Sequence, residues 1–245
     1  MQIDLRKNMA LKYSKIIVGG CSYTEKNYPK SINMDYKMWP EIIGEMSDCE
    51  VINTGCSNAS NTRIYFEVLD QINLNLNNIK HVYVMWTMFD RQGDCLVNYK
   101  TKSYSTKWLR QSIFGTDNYT AADIRKGKLF KLPDIESRKI KPPKIDDVIN
   151  YNLNLIFGLQ CICNEHNIPY TFAQGTQMFT PAENLGGDFN LSNYKKVIQH
   201  PLTEKIKNFI GYPTINMTDK YHNELIHFHP NESANKKIAK LLYEY

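Results

Sequence analysis

The sequence contains no long hydrophobic run. Although 42% of its 245 residues are hydrophobic, no apolar stretch approaches the roughly 20 residues that a membrane-spanning helix needs. The first 14 residues also lack an apolar run followed by a small-residue cleavage site, which is the pattern of a secretory signal. We therefore expect a protein with no membrane partner and with a cytoplasmic location.

Cysteine is sparse, and the net charge is low. Six cysteines are scattered along the chain without a Cys-x-x-Cys pair, which predicts reduced thiols rather than a disulfide scaffold. The formal charge is +5, but residues 99–147 alone carry a net charge of +6 and the remainder a net charge of −1. The basic balance therefore belongs to one segment, and it does not favour nucleic acid as a partner of the whole protein.

Short apolar runs alternate with segments of helical character. Runs of strand length occupy residues 14–20, 49–53, 81–86 and 168–173. Helical spacing of apolar residues, or a proline near a helix start, marks residues 39–46, 60–74, 149–163 and 231–245. The alternation predicts a single α/β domain, a three-layer α/β/α sandwich around a parallel, flavodoxin-like sheet of about five strands.

This alternation stops between about residues 92 and 147. The segment is rich in Lys, Tyr and Ser, and it carries the aromatic residues Trp108, Phe114, Tyr119 and Phe130. A structureless loop of this length is uncommon inside a compact domain, so we predict an insertion that forms a lid or a subdomain. Three interpretations stay open: a solvated lid, a platform on which sugars or bases stack, and a contact between copies of the chain in an oligomer.

Unusual polar residues follow the predicted strands. In open α/β sheets, ligands bind beyond the carboxyl ends of the strands. Ser22 follows Gly-Gly-Cys at the first of these ends, and small residues there let backbone N–H groups approach a substrate, so Ser22 is a candidate nucleophile. His229, which precedes the last predicted helix, is the candidate base. The candidate oxyanion donors are Ser22, Gly55 and Asn58.

Three blocks of sequence resemble those of the SGNH (GDSL-like) hydrolase superfamily. Residues 20–24 (Gly-Cys-Ser-Tyr-Thr) look like the first block, which supplies the serine, and residues 53–58 look like the second. Residues 229–242, which begin with His-Pro-Asn, are similar to the fifth block. The blocks follow the family order over most of the chain outside the insertion. The resemblance is in particular to divergent SGNH-like proteins of tailed bacteriophages, which would place the protein in the host cytoplasm.

The resemblance implies a serine ester hydrolase that cleaves acyl or O-acetyl esters. Its substrate would be a small-molecule or carbohydrate ester, with carbohydrate O-acyl groups favoured, and it would need no metal or organic cofactor. Ser22 would attack the acyl carbonyl, and His229 would act first as base and then as acid. The N–H groups of Ser22 and of the loop from Gly55 to Asn58 would hold the oxyanion.

The chain also departs from the family pattern. Cys21 stands at the acidic position of Gly-Asp-Ser, and Asn58 stands at the glycine of the second block. Residues 86–88 (Trp-Thr-Met) replace the Gly-x-Asn-Asp of the third block, so the family's oxyanion asparagine is missing. The acid that the family places two or three residues before the histidine is missing as well, because those positions hold His227 and Ile226.

A second Asp-x-x-His spacing lies upstream of His229. Asp219 and His222 have this spacing but lack the following Pro-Asn and helix. We therefore keep His229 as the base, with Asp219 and His227 as candidate supporting residues. His222, His227 and His229 have no Cys or carboxylate at a familiar ligand spacing, so we predict no metal site.

Two further residues follow the third predicted strand. Asp90 and Arg91 are candidate supporting residues that either bind an anionic or sugar group or form a local ion pair closing the loop. Two functions of other classes compete with the esterase. The departures from the family pattern favour a catalytically silent SGNH-like fold that acts as a binding or structural phage protein. The third hypothesis, which is less favoured than the other two, is a nucleic-acid binder that uses the basic insertion and whose binding would depend steeply on salt.

Overall fold

The fold is an alternation of strands and helices. The computed structural model describes residues 15–92, 95–98, 103–105, 144–179 and 189–245. Its strands are β1 (Lys15–Gly20), β2 (Glu50–Asn53), β3 (Ile79–Trp86), β4 (Arg91–Gln92), β5 (Cys95–Asn98), β6 (Ser103–Ser105), β7 (Tyr170–Gln174), β8 (Phe209–Ile210), β9 (Leu225–Ile226) and β10 (His229–Pro230). Its α-helices are α1 (Tyr28–Ser31), α2 (Trp39–Ser47), α3 (Asn61–Asn75), α4 (Ile145–Glu165), α5 (Phe189–Gln199), α6 (Met217–Lys220) and α7 (Glu232–Glu244).

Five of the strands form the central sheet. Their order is β2-β1-β3-β7-β8, and every neighbouring pair is parallel. This is the flavodoxin-like order, in which the chain steps outward in one direction from β1 and then returns past it. The predicted α/β architecture with a parallel sheet of about five strands is therefore confirmed.

Both faces of the sheet are buried. Along β1, Ile17 packs with α3 and α4 on one face, while Ile16 and Val18 pack with α2 and α7 on the other. The same alternation continues in β3, where Val84 belongs to the first layer and Met85 to the second. Because side chains of a strand alternate between faces, burial on both faces explains why the strands are near-continuous apolar runs.

The predicted elements match the observed ones within a few residues at each end. The larger departures are α4, which begins four residues before the predicted helix, and the elements that the sequence pattern did not reveal, namely the helices α1, α5 and α6, the strand β8 and the β9–β10 hairpin. These strands have two residues each, too few for periodicity to register. Most of the predicted insertion at 92–147 lies outside the described residues; β4, β5 and β6 form a small antiparallel sheet at its start. Among the described helices, none is both long and apolar enough to cross a membrane.

A buried polar network holds the chain that leaves β3. The side chain of Asn61, at the start of α3, accepts a hydrogen bond from Thr87 N (2.8 Å) and donates to Thr87 O (3.1 Å). Gln174 also donates to Thr87 O, and Asn152 donates to Phe89 O. All these polar side chains are buried, so the network satisfies backbone groups that cannot reach water and fixes the path of residues 87–89.

We expect Asn61→Ala to destabilise the protein by about 1–3 kcal/mol, because it leaves the buried Thr87 N–H without its partner. Urea unfolding followed by circular dichroism measures this change. The matched control is Asn154→Ala, since Asn154 is exposed and donates only within α4, to Asn150. Equal unfolding midpoints for the two variants would contradict a stabilising role for the network.

Candidate functional site

The hydroxyl of Ser22 and the imidazole of His229 lie in direct contact. Ser22 follows β1 by two residues, and His229 is the first residue of β10. Their Oγ and Nε2 atoms are 2.7 Å apart, although 207 positions of sequence separate the residues. Both side chains are partly buried at the carboxyl edge of the sheet. The sequence-predicted nucleophile and base are therefore brought within hydrogen-bond distance.

The loop that carries Ser22, residues 21–27, is held in a tight turn that we call the serine loop. Thr24 N donates to Cys21 O (2.8 Å), which closes the turn. A Cβ atom on Gly20 would lie 2.1 Å from Thr24 Oγ1, so only glycine allows this turn to fold against the strand end. The buried Trp39 adds a second anchor, because its Nε1 donates to Tyr23 O (2.8 Å).

His229 follows a two-residue hairpin turn. β9 and β10 pair antiparallel, and the turn residues His227 and Phe228 have φ values of 49° and 65°. Positive φ at both positions is the mark of a type I′ turn, which costs of order 1–3 kcal/mol for each residue other than glycine. The hydroxyl of Tyr23 donates to Phe228 O and lies 3.0 Å from Thr218 Oγ1. The strained turn is therefore tied directly to the serine loop.

The Nδ1 atom of His229 contacts two neutral oxygens. His227 O lies 2.9 Å away and the Tyr28 hydroxyl lies 2.7 Å away. Because a carbonyl oxygen only accepts, Nδ1 carries the proton in the first contact, which leaves Nε2 free to accept the proton of Ser22. The main-chain carbonyl of His227 thus sets the tautomer that a general base requires.

The carboxylate of Asp219 is directed elsewhere. It accepts hydrogen bonds from Asn216 Nδ2 (2.8 Å) and Gln177 Nε2 (3.2 Å) at the start of α6. His222 contacts Asp219 through the main-chain oxygen, 3.0 Å from Nδ1. The second Asp-x-x-His spacing therefore forms no carboxylate–imidazole contact, and Asp219 does not bond His229. Within the described ranges, no group of three or more His, Cys, Asp or Glu side chains has a metal-binding arrangement.

The loop after β2 packs against the serine loop. Gly55 N donates to Asn53 Oδ1 (2.8 Å), and Asn53 Nδ2 donates to Thr24 O (2.8 Å). A Cβ atom on Gly55 would lie 2.7 Å from Thr24 C, so glycine is needed here for close packing of two backbones. The Gly55 N–H, a candidate oxyanion donor, is thus engaged by Asn53. Asn58 has a φ of 66°, a left-handed conformation that glycine adopts most readily.

The candidate supporting residues Asp90 and Arg91, which follow β3, differ in how far they are buried. Asp90 is fully buried. Arg91 is half-buried, and its Nη1 donates to Ala59 O (3.2 Å), which brings the guanidinium beside the loop that contains Asn58. The positive charge of Arg91 also reaches His229, where it contributes to lowering the pKa of the imidazole. The structure thus brings Arg91 toward the Ser22–His229 pair.

Tyr23 and Tyr28 are the site residues that sequence reasoning missed. Their rings lie against the imidazole of His229, with centroid distances of 5.0 Å and 3.9 Å respectively. Tyr23 was part of the motif that carries Ser22, but nothing in the spacing of Tyr28 relates it to His229. Contacts between aromatic residues 201 positions apart leave no periodic signal in the sequence.

We expect His229 to titrate below 6.5, the ordinary pKa of histidine. Burial is the main cause of the lowered pKa; the hydrogen bond to His227 O opposes it, and the charges of Arg91 and His227 lower the pKa further. An NMR titration of the imidazole signals measures the value, with His229→Gln used to assign the signal. A pKa at or above 6.5 would contradict the described burial of the ring.

Comparisons with known proteins find similarity in structure only. No protein-family model matches the sequence, and no curated protein matches it. A protein assigned to the lipolytic G-D-S-L family from Desulfitobacterium hafniense is 14% identical, with a TM-score of 0.43 over 95% of this chain and 97% of that one. An acetylxylan esterase from Geobacillus stearothermophilus, solved as a catalytic mutant, is 10% identical, with a TM-score of 0.49 over 94% of this chain and 93% of that one. A psychrotrophic esterase from Pseudoalteromonas sp. is 10% identical, with a TM-score of 0.47 over 94% of this chain and 95% of that one. Similarity at this level leaves the function of this chain to be argued from its own residues.

Proposed function

We propose that the protein is a serine ester hydrolase in which Ser22 is the nucleophile and His229 is the base. The observation that carries the proposal is the 2.7 Å contact between Ser22 Oγ and His229 Nε2. A nucleophile and its base must lie within about 2.6–3.2 Å for the proton to pass between them. The hydrogen bond from Nδ1 to His227 O supports the proposal, because it leaves Nε2 able to accept.

The reaction proceeds in two halves. Ser22 Oγ bonds to the acyl carbon of the ester while its proton passes to His229 Nε2. The imidazolium then gives that proton to the departing alcohol oxygen, and the C–O bond of the ester breaks to leave an acyl-serine. A water molecule loses a proton to the same nitrogen and attacks the acyl carbon. The carboxylic acid leaves as Ser22 recovers its proton from His229.

The oxyanion formed in each half needs hydrogen-bond donors. Following the family resemblance, we assign the N–H groups of Ser22 and Asn58 as these donors. The N–H of Gly55 donates to Asn53. The guanidinium of Arg91 lies beside the Asn58 loop, and its charge would favour a developing negative oxygen. The same resemblance favours carbohydrate O-acyl groups as the substrate class.

The competing function is a catalytically silent fold that binds without reaction. The missing family acid and third-block asparagine favour it. The distance between Ser22 and His229 favours the hydrolase, because a silent site has no need for a tautomer-matched contact of this kind. A main-chain carbonyl also preserves part of what the acid does, since removing one member of a triad does not remove the contributions of the others.

We expect Ser22→Ala to lower the turnover of p-nitrophenyl acetate by at least about a thousandfold, and to abolish labelling by a fluorophosphonate. The wild-type protein should be labelled at Ser22, which peptide mass spectrometry locates. Ser233→Ala is the matched control, because Ser233 is exposed on α7 and should leave both activities unchanged. Equal turnover by wild type and Ser22→Ala, or no labelling of wild type, would exclude the Ser22 mechanism and favour the silent fold.

A further inference from the structure

Tyr28 makes two separate contacts with His229. Its ring stacks on the imidazole with a centroid distance of 3.9 Å and an interplanar angle of 23°. Its hydroxyl oxygen lies 2.7 Å from Nδ1. Tyr23 covers the ring as well, at 5.0 Å and a tilt of 58°. The imidazole is therefore packed between two tyrosines that belong to or directly follow the serine loop.

These contacts are placed where a triad acid would act. The acid of a Ser-His-Asp triad accepts a hydrogen bond from Nδ1–H and stabilises the imidazolium that forms during the reaction. At His229 the oxygens within hydrogen-bond distance of Nδ1 among the described residues are His227 O, which accepts the Nδ1 proton, and the Tyr28 hydroxyl oxygen. A phenolic oxygen carries partial negative charge, and the face of a tyrosine ring attracts a cation. Both contacts of Tyr28 are therefore more favourable with charged than with neutral imidazole.

We propose that Tyr28 is the positioning residue that replaces the missing acid, orienting His229 and stabilising its imidazolium. The proposal rests on the proposed function, since it gives Tyr28 its part in the Ser22–His229 reaction. The carbonyl of His227 selects the tautomer. Tyr28 adds the stabilisation of charge that a main-chain carbonyl supplies only weakly.

The environment of Tyr28 keeps its hydroxyl protonated. Burial raises the pKa of Tyr28 to about 12, with smaller contributions from Tyr36 and Glu25. The phenol is therefore neutral at any pH where His229 changes its charge, and it contributes the same oxygen throughout. Among the described residues, Tyr23 from the serine loop also faces His229, and burial raises its pKa to about 12, so it too stays neutral. The charges of Arg91, from β4, and of His227, from the hairpin turn, lower the pKa of His229.

The variant Tyr28→Phe tests the proposal, because it keeps the stacked ring and removes the oxygen. We expect the pKa of His229 to fall by about half a unit to one unit, because the charged form loses the partially negative oxygen beside Nδ1. Two-dimensional NMR of the histidine signals measures this shift, with the His229 signal assigned from His229→Gln. If Tyr28→Phe only loosened the site, the pKa of His229 would rise instead, because water that reaches the ring moves the pKa up toward 6.5.

Tyr36→Phe is the matched control. The hydroxyl of Tyr36 donates to Pro230 O (3.1 Å), so it holds the residue next to His229 without touching the imidazole. This variant should leave the pKa of His229 unchanged. An unchanged or raised pKa in Tyr28→Phe, or a fall of equal size in Tyr36→Phe, would overturn the proposal.

Kinetics connect the contact to the reaction. With p-nitrophenyl acetate, Tyr28→Phe should lower kcat roughly three- to tenfold while KM changes little, and the acidic limb of the pH profile should move to lower pH with the NMR value. A lowered pKa with an unchanged kcat would overturn the part assigned to Tyr28 in catalysis. If the wild-type protein does not turn over the ester, the proposed function fails. The NMR shift would still test whether Tyr28 stabilises the imidazolium of His229.

Discussion

The packing of the His229 imidazole against the chain that follows β1 is the constraint on which the site depends. Ser22, Tyr23 and Tyr28 all contact this ring, through one hydrogen bond to Nε2, one tilted ring contact and one stacked ring with its hydroxyl at Nδ1. The contact is possible because a parallel sheet places the end of β1 and the last hairpin at the same edge. The packing joins two segments that lie at opposite ends of the chain, and the hydrogen bonds from Tyr23 to Phe228 O and from Tyr36 to Pro230 O hold the same segments together.

The proposed base, His229, has no carboxylate at Nδ1 among the described residues. Its neighbours there are a carbonyl and a phenol, both neutral, whereas the positive charge of Arg91 disfavours the imidazolium. Neutral acceptors stabilise an imidazolium less than a carboxylate does, and burial disfavours it further. The result is a histidine that stays neutral, and thus able to accept a proton, at lower pH than an ordinary one.

Several motif residues around this pair have structural tasks. Gly55 allows the loop after β2 to touch the serine loop, and Asn53 joins the two through Gly55 N and Thr24 O. The carboxylate of Glu25 accepts from the Ser57 N–H and hydroxyl, which is a second connection between the same loops. These contacts hold the serine at the strand end, and a rigid support of this kind is what positions a reactive side chain within a fraction of an ångström.

The sequence by itself determined the sheet and the pair of residues at its edge. Strands that are buried on both faces have a local signature, because they are near-continuous apolar runs. Glycines before a serine and His-Pro-Asn before a helix are local motifs as well, and Ser22 and His229 could therefore be named without coordinates. Only the tertiary structure decided what surrounds them. The family acid is missing, and the carboxylate of Asp219, which was predicted to support His229, accepts from Asn216 and Gln177 instead. The structure places His227 O and the Tyr28 hydroxyl at Nδ1. A main-chain carbonyl is present at every residue, and the left-handed turn at 227–228 uses no glycine, so neither could be distinguished by residue type. The contact with Tyr28 arises because folding brings together segments 201 positions apart, and such a contact has no local pattern from which it could be predicted.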